Sequence, residues 1–230
     1  KAGSGAMTTG VPDSAGVPQD YAANTITALY NCTEQVEKIF EIHGDEIAAV
    51  IVEPVAGNMG VVVPGIEFLK YLRKAADNYG SLLIFDEVIT GFRVAYGGAQ
   101  SYFKIMPDIT VLGKIIGGGL PVGAFGGKKE IMRLVSPEGP VYQAGTLSGN
   151  PVAVAAGIKT LEILRDNHDI YDILDRKGAL IEEAFKSASN EYQIPVKVNR
   201  IGSMLTIFFT DIDVVDYRTA MKSDRQAFSK

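Results

Sequence analysis

The stretch Leu82-Leu83-Ile84-Phe85-Asp86-Glu87 decides the fold: four apolar residues in succession, then two carboxylates. A short continuous apolar run suits a strand covered on both faces. Upstream, Ile66, Leu69, Leu72, Ala76 and Tyr79 recur at helical spacing and stop at Gly80, a glycine placed where helices commonly end. Further upstream, Val36, Ile39 and Phe40 mark a helix that runs to Gly44, and Ile47 to Val52 is a second buried-strand run. Downstream, Ile109 to Leu112 is a third. Helix and strand therefore alternate, which predicts an α/β domain: a mostly parallel sheet with helices on both faces and a ligand site at the carboxyl ends of the strands.

Beyond that core, Asn150-Pro151 reads as an N-cap followed by proline at the first helical position, launching a helix over Val152 to Arg165. A second helix near Ile170 to Ala188, with apolar runs at Val196 to Val198 and Met204 to Phe209, opens a smaller α+β part. The expected organisation is a large domain over 1–165 and the start of a small C-terminal domain over 166–230. Residues 1–31 are rich in Gly, Ser, Thr and Pro, the composition of a long loop. The chain opens at Lys1 and closes in a charged stretch that reads as a helix from near Asp216, so a fragment of a longer protein is expected.

Composition narrows the function. With 22 basic and 27 acidic residues the net charge is −5, and no basic cluster offers a surface to nucleic acid or an anionic membrane. No apolar run reaches the roughly 18 residues of a membrane span. One cysteine, Cys32, and two well-separated histidines, His43 and His168, argue against a disulfide framework or a metal centre. The expected partner is a small molecule.

Two readings of Asp86-Glu87 compete at the end of their strand. One is the acidic strand of a phosphate-loop nucleotide hydrolase; the other is a single carboxylate holding positive charge on a bound heterocycle. A carboxylate that merely caps the next turn is the plainer alternative. The first reading needs a G-x-x-x-x-G-K-[ST] loop, but Gly113-Lys114 is followed by Ile115 and preceded by Asp108 at the first motif position. Lys114 favours the second. It follows the strand Ile109 to Leu112 and lies among Ile115, Ile116 and Gly117-Gly118-Gly119, surroundings expected to strip solvation and lower its pKa toward a nucleophilic amine, while for a lysine taken alone snorkelling to the surface is the plainer alternative. A strand-end lysine with a strand-end aspartate is the pair that pyridoxal phosphate requires, the lysine for a Schiff base and the carboxylate for the pyridinium nitrogen. Gly145-Thr146-Leu147-Ser148-Gly149-Asn150-Pro151 adds small residues, hydroxyls and a helix start that suit a phosphate oxygen, although taken alone the run reads as an ordinary loop and helix cap.

Four runs together carry a family resemblance: Val52-Glu53-Pro54-Val55-Ala56-Gly57-Asn58, Phe85 to Arg93, Leu112 to Pro121 and Gly145 to Pro151. In this order they resemble the class III pyridoxal-phosphate-dependent aminotransferases, over essentially the whole chain. The resemblance implies a fold type I large domain that binds pyridoxal 5'-phosphate and pyridoxamine 5'-phosphate. It implies Lys114 as the lysine that bonds to the cofactor and moves protons, Asp86 as the pyridinium partner and Val88 as the residue packed on the ring. It implies that Thr146 binds the cofactor phosphate of a neighbouring subunit, so that a homodimer shares its sites. Residues 1–18 resemble a gating loop with Ser4 near its opening.

Asn58 stands where many two-substrate members carry a glutamate, and a neutral side chain there resembles the aminomutase branch. The expected activity is an isomerase that converts glutamate 1-semialdehyde to 5-aminolevulinate for tetrapyrrole synthesis, in a bacterial cytoplasm or a plastid stroma. A class III ω-aminotransferase with separate donor and acceptor remains the alternative, as does an inactive fragment of either.

Overall fold

The computed structural model describes residues 16–227. In chain order the elements are α1 (Gln19–Ala23), α2 (Thr33–His43), β1 (Ala49–Val52), α3 (Ile66–Tyr79), β2 (Leu82–Glu87), α4 (Gly98–Phe103), β3 (Ile109–Leu112), β4 (Ala124–Gly127), α5 (Lys129–Met132), α6 (Pro151–Asp166), α7 (Ile170–Tyr192), β5 (Lys197–Ile201), β6 (Met204–Phe208) and α8 (Tyr217–Ala220). Among the described residues, β1 to β4 form one sheet in the order β1-β2-β3-β4. The first three strands are parallel and β4 returns antiparallel to β3. The parallel core matches the expectation. Strand β4 was not legible, because Ala-Phe-Gly-Gly carries neither an apolar run nor an alternating pattern.

The two faces of this sheet are unequal. Val52, Leu83 and Phe85 point to one face, where α3 seals them with Phe68, Leu69, Leu72, Ala75 and Ala76, and α2 adds Val36 and Phe40. Burying each large side chain of this kind contributes about 1.5–3 kcal/mol. On the other face Ile51, Ile84 and Ile109 lie in one row and Asp86, Val111 and Phe125 in the next. Ile51 is 47 % exposed and Phe125 46 % exposed. The expectation of strands covered on both sides therefore holds for one face of this chain. An apolar run states that a strand wants cover without saying which segment supplies it.

Caps place the helices as the sequence indicates. Gly80 ends α3 in the left-handed conformation, φ 69°, which costs glycine little. Asn150 opens α6, its side-chain oxygen accepting the backbone N–H groups of Val152 and Ala153 at 3.1 Å each. The stretch from Asp216 is shorter than expected: Asp216 and Thr219 form a reciprocal capping box around a helix of four residues, and turns follow.

Beneath the sheet's rim, Asp108 is 2 % exposed and holds three donors: Arg73 at 2.8 Å, Lys128 at 2.5 Å and the Leu83 N–H at 2.7 Å. Burial opposes its charge, but the hydrogen bonds from Lys128, Leu83 and Arg73 outweigh it and hold the carboxyl below the usual carboxylate range. The ion pairs tie α3 and the start of α5 to the β2–β3 edge.

The hairpin β5–β6 is antiparallel, and α7 lies against it. Arg200 reaches back from β5 to Asp175 at 2.6 Å and Glu182 at 2.7 Å on α7. At Gly178 a side chain would meet the Gly202 carbonyl oxygen at 2.5 Å, so helix and hairpin approach closely only because no Cβ intervenes. The hairpin also shares a core with the segment after β1: Ile201 and Met204 pack with Val55 and Val61. Two hydrogen bonds stitch that seam, Val61 N–H to Thr206 Oγ1 at 2.9 Å and Asn199 Nδ2 to the Val61 carbonyl at 2.9 Å. Among the described residues no helix is long and apolar enough to cross a membrane.

Candidate active site

Strand alternation separates the two adjacent carboxylates. Glu87 continues the covered face of β2 and is fully buried. Its Oε2 accepts the Ala99 N–H at 2.6 Å and the Thr90 hydroxyl at 3.0 Å, and its Oε1 accepts the Gln100 N–H at 3.0 Å and Gln100 Nε2 at 3.1 Å. Gln100 Nε2 also donates to Thr110 Oγ1 on β3 at 3.1 Å. Glu87 is thus the carboxylate that caps the next structural unit, and it leaves no room for chemistry. Asp86 turns to the open face and is half-buried, with Oδ1 accepting the Val88 N–H at 3.1 Å. Both carboxylates accept from the backbone that follows, Glu87 with its whole hydrogen-bonding capacity in the buried interior and Asp86 with one bond on the open face.

Lys114 follows β3, the parallel neighbour of β2, at the same carboxyl-end edge. It begins a 3₁₀ turn, Lys114–Gly117, and its backbone φ is +47°. For a side chain other than glycine this left-handed conformation costs about 1–2 kcal/mol, and such strain clusters at functional positions. Val88 closes the corner: a Cβ at Gly113 would stand 3.2 Å from Val88 Cγ1, so the valine packs directly against the residue preceding the lysine. Asp86, Val88 and Lys114 are therefore gathered on one edge, by a strand end, its following turn and the end of the next strand. Lys114 itself is exposed. The dry surroundings expected from its apolar and glycine neighbours are absent, because Ile115 and Ile116 are half-buried below it while the sheet face beside it is open.

Of the segment 145–150, Gly145 and Leu147–Asn150 line, with Pro121–Gly123 and Val154, a cavity of about 230 Å³. Thr146 is exposed on this segment, where it is accessible to another chain. Asn58 is also exposed and lies in the tight bend after Gly57, bridged to Gly60. Glu53 shapes that bend by accepting the Gly57 N–H at 2.6 Å, and Tyr30 donates its hydroxyl to the Glu53 carbonyl at 3.0 Å. Burial raises the Tyr30 phenol far above its ordinary range, so it stays a donor. Ser4 and the rest of residues 1–15 lie outside the described residues.

Sequence reasoning missed Glu87 as the anchor of α4 and missed the glycines Gly118 and Gly157. The signal for Glu87 was present: a period of two puts Asp86 and Glu87 on opposite faces. The glycine pair had no local signal, since its two members meet only in the folded chain.

The mostly parallel sheet, with a strand-end aspartate and a lysine beyond the neighbouring strand on one edge, fits a fold type I transferase, and the chain belongs to the class-III aminotransferase family, whose model matches residues 1–225. Among its relatives, glutamate-1-semialdehyde 2,1-aminomutase of Persephonella marina is 57 % identical over 229 residues, covering 100 % of this chain and 53 % of the relative. The enzyme of the same name from Alkaliphilus metalliredigens is 59 % identical over 230 residues, covering 100 % of this chain and 52 % of the relative. The chain thus spans about half the length of the curated relatives it matches. Among solved structures, an ω-transaminase from Sphaerobacter thermophilus aligns with a TM-score of 0.87 and 35 % identity, covering 94 % of this chain and 49 % of that one. A glutamate-1-semialdehyde-aminomutase from Pseudomonas aeruginosa, in complex with PMP, aligns with a TM-score of 0.79 and 28 % identity, over 93 % of this chain and 49 % of that one.

Proposed function

We propose that the complete protein containing this chain is a pyridoxal-phosphate-dependent aminomutase that converts glutamate 1-semialdehyde to 5-aminolevulinate. The observation that carries the reading is the 57–59 % identity, over the whole chain, to enzymes of that name. Likeness of fold does not choose between activities, since an ω-transaminase and an aminomutase both align well.

The residues present fit the cofactor. Asp86 is a half-buried acceptor on the open face of β2, and Lys114 is an exposed amine beyond the parallel strand β3. When bound, pyridoxal phosphate supplies an electron sink for the bond-breaking carbon next to the substrate amine. Asp86 would keep the ring nitrogen protonated, Val88 would support one side of the ring, and Lys114 would hold the cofactor covalently and carry protons between substrate and cofactor carbons. Thr146, exposed beside the 230 Å³ cavity, would reach the phosphate of a neighbouring subunit, which makes a homodimer part of the reading. Residues 1–165 would belong to the cofactor-binding domain, with 1–31 its gating loop near Ser4, and 166–230 would begin the small domain. Asn58, neutral and exposed, suits an enzyme that treats one substrate in both directions and needs no charge switch between two. The relatives' bacterial origin supports a cytoplasmic location.

The test loads the complete protein with pyridoxamine phosphate and adds glutamate 1-semialdehyde without amino donor or keto acceptor. Repeated turnover to 5-aminolevulinate is the expected result. One stoichiometric turnover that resumes only with an added donor or acceptor would establish the ω-transaminase reading in its place.

A further inference from the structure

Lys114 holds a left-handed backbone angle, φ +47°, which persists only where the surroundings over-determine it. The hydrogen bonds of the lysine's own turn include Ile116 N–H to the Gly113 carbonyl at 3.3 Å and Gly118 N–H to the Ile115 carbonyl at 3.0 Å, and no side chain caps its start. What backs the turn is α6. A Cβ at Gly157, a buried residue of α6, would collide with the Ile116 carbonyl oxygen. From the opposite side, a Cβ at Gly118 would stand 2.5 Å from the Ala156 carbonyl oxygen and 2.7 Å from Thr160 Oγ1. Each backbone fills the space that the other's missing side chain leaves. The helix that does this is fixed at its start by Asn150, which accepts from Val152 and Ala153.

We infer that Gly157 is a positioning residue for Lys114: the glycine contact between α6 and the turn Lys114–Gly117 sets where the lysine amine stands. The inference rests on the proposed role of Lys114 as the amine that bonds to the cofactor. In that role Nζ, as the free amine, would bond to the aldehyde carbon of pyridoxal phosphate, with C=N replacing C=O and the oxygen leaving as water with the two amine hydrogens, so that no oxidation state changes. A methyl group at position 157 forces the turn away by roughly 1 Å to restore ordinary contact. Misplacement on that scale costs a reacting group about 100-fold.

The experiment measures how fast the complete apoprotein captures pyridoxal phosphate, followed by the absorbance of the lysine-bound cofactor, with borohydride trapping to map the modified residue. Gly157→Ala is compared with Gly178→Ala, which forces a similar backbone collision between α7 and the β5–β6 turn. Both variants lose thermal stability. Capture at Lys114 slows by about 10- to 100-fold in Gly157→Ala and keeps the wild-type rate in Gly178→Ala. Gly118→Ala, which disturbs the same contact from the exposed turn, shows the same slowing and decides the matter if Gly157→Ala fails to fold. Wild-type capture rates in Gly157→Ala or Gly118→Ala, or equal slowing in Gly178→Ala, overturn the inference. A wild-type protein that captures no cofactor at Lys114 overturns the proposed function and this inference together, whereas normal wild-type capture with unaffected variants overturns this inference alone.

Discussion

The two faces of the four-stranded sheet are made from the same strands and have opposite characters. On the face under α3, Glu87 holds four donors, and around it Val52, Leu83, Phe85 and the apolar residues of α3 form aliphatic and aromatic core. On the other face the same strand presents Asp86, half-buried, between the exposed flanks of Ile51 and Phe125. One peptide unit separates Asp86 from Glu87, yet one serves stability and the other stands where ligand chemistry is expected. A strand's period of two makes this division of labour without any change of residue class.

The sharpest way to break the comparison is to remove chemistry from the open side. Lys114→Ala is expected to lower turnover of the complete protein at least about 1000-fold while leaving the urea midpoint of this chain unchanged, because the side chain is exposed in it. A stability loss equal to that of a core substitution would show that the open side is structural after all.

The adjacent carboxylates give the next test. Glu87→Ala strands two backbone N–H groups and the Thr90 and Gln100 side chains in a buried site, and is expected to cost about 3 kcal/mol in urea titration. Asp86→Ala should leave that titration nearly unchanged and instead weaken retention of the cofactor by the complete protein. If the two variants behave alike, the division between the faces is wrong.

A smaller effect reports on the covered side's margin. Asp108 is charged and held below the usual carboxylate range in the folded chain, so its contribution is fully present above about pH 4 and is lost as pH falls below that through the depressed folded value. Asp108→Asn should remove about 2 kcal/mol at neutral pH and flatten the acid limb of the stability curve. A limb of unchanged slope would mean that other carboxylates govern acid unfolding.

The smallest expected change sharpens the contrast in cover. Ile51→Thr should cost under about 1 kcal/mol in this chain, since nearly half of the side chain meets solvent. In the complete protein the same substitution should cost more, as measured by the shift in melting temperature. Equal costs would mean that the open face stays open there too.

How much of this was legible in the sequence follows from what each signal encodes. Gly80, the Ile66-to-Tyr79 periodicity and Asn150-Pro151 act locally, and the elements they predict are in place. Lys114 and Asp86 were picked out by position at strand ends, and the parallel pairing of β2 and β3 brings those ends side by side. The rest depends on distant partners. Arg73 and Lys128 converge on Asp108 only after folding, and the exposure of Lys114 reflects an uncovered sheet face that no local pattern could announce. The helix expected from Asp216 begins there, with Thr219 bonding back to the backbone N–H of Asp216, but it is one turn long, an end that no local pattern announced. Ser4 and its loop fall outside the described residues.

The seam between Val61 and the hairpin has a practical meaning for watching the molecule move. The Val61 N–H is held by Thr206, and the Val61 carbonyl by Asn199, so the two peptide groups that flank one residue are gripped by β6 and β5 respectively. Deuterium uptake at the Val61 amide therefore reads out whether the hairpin is seated.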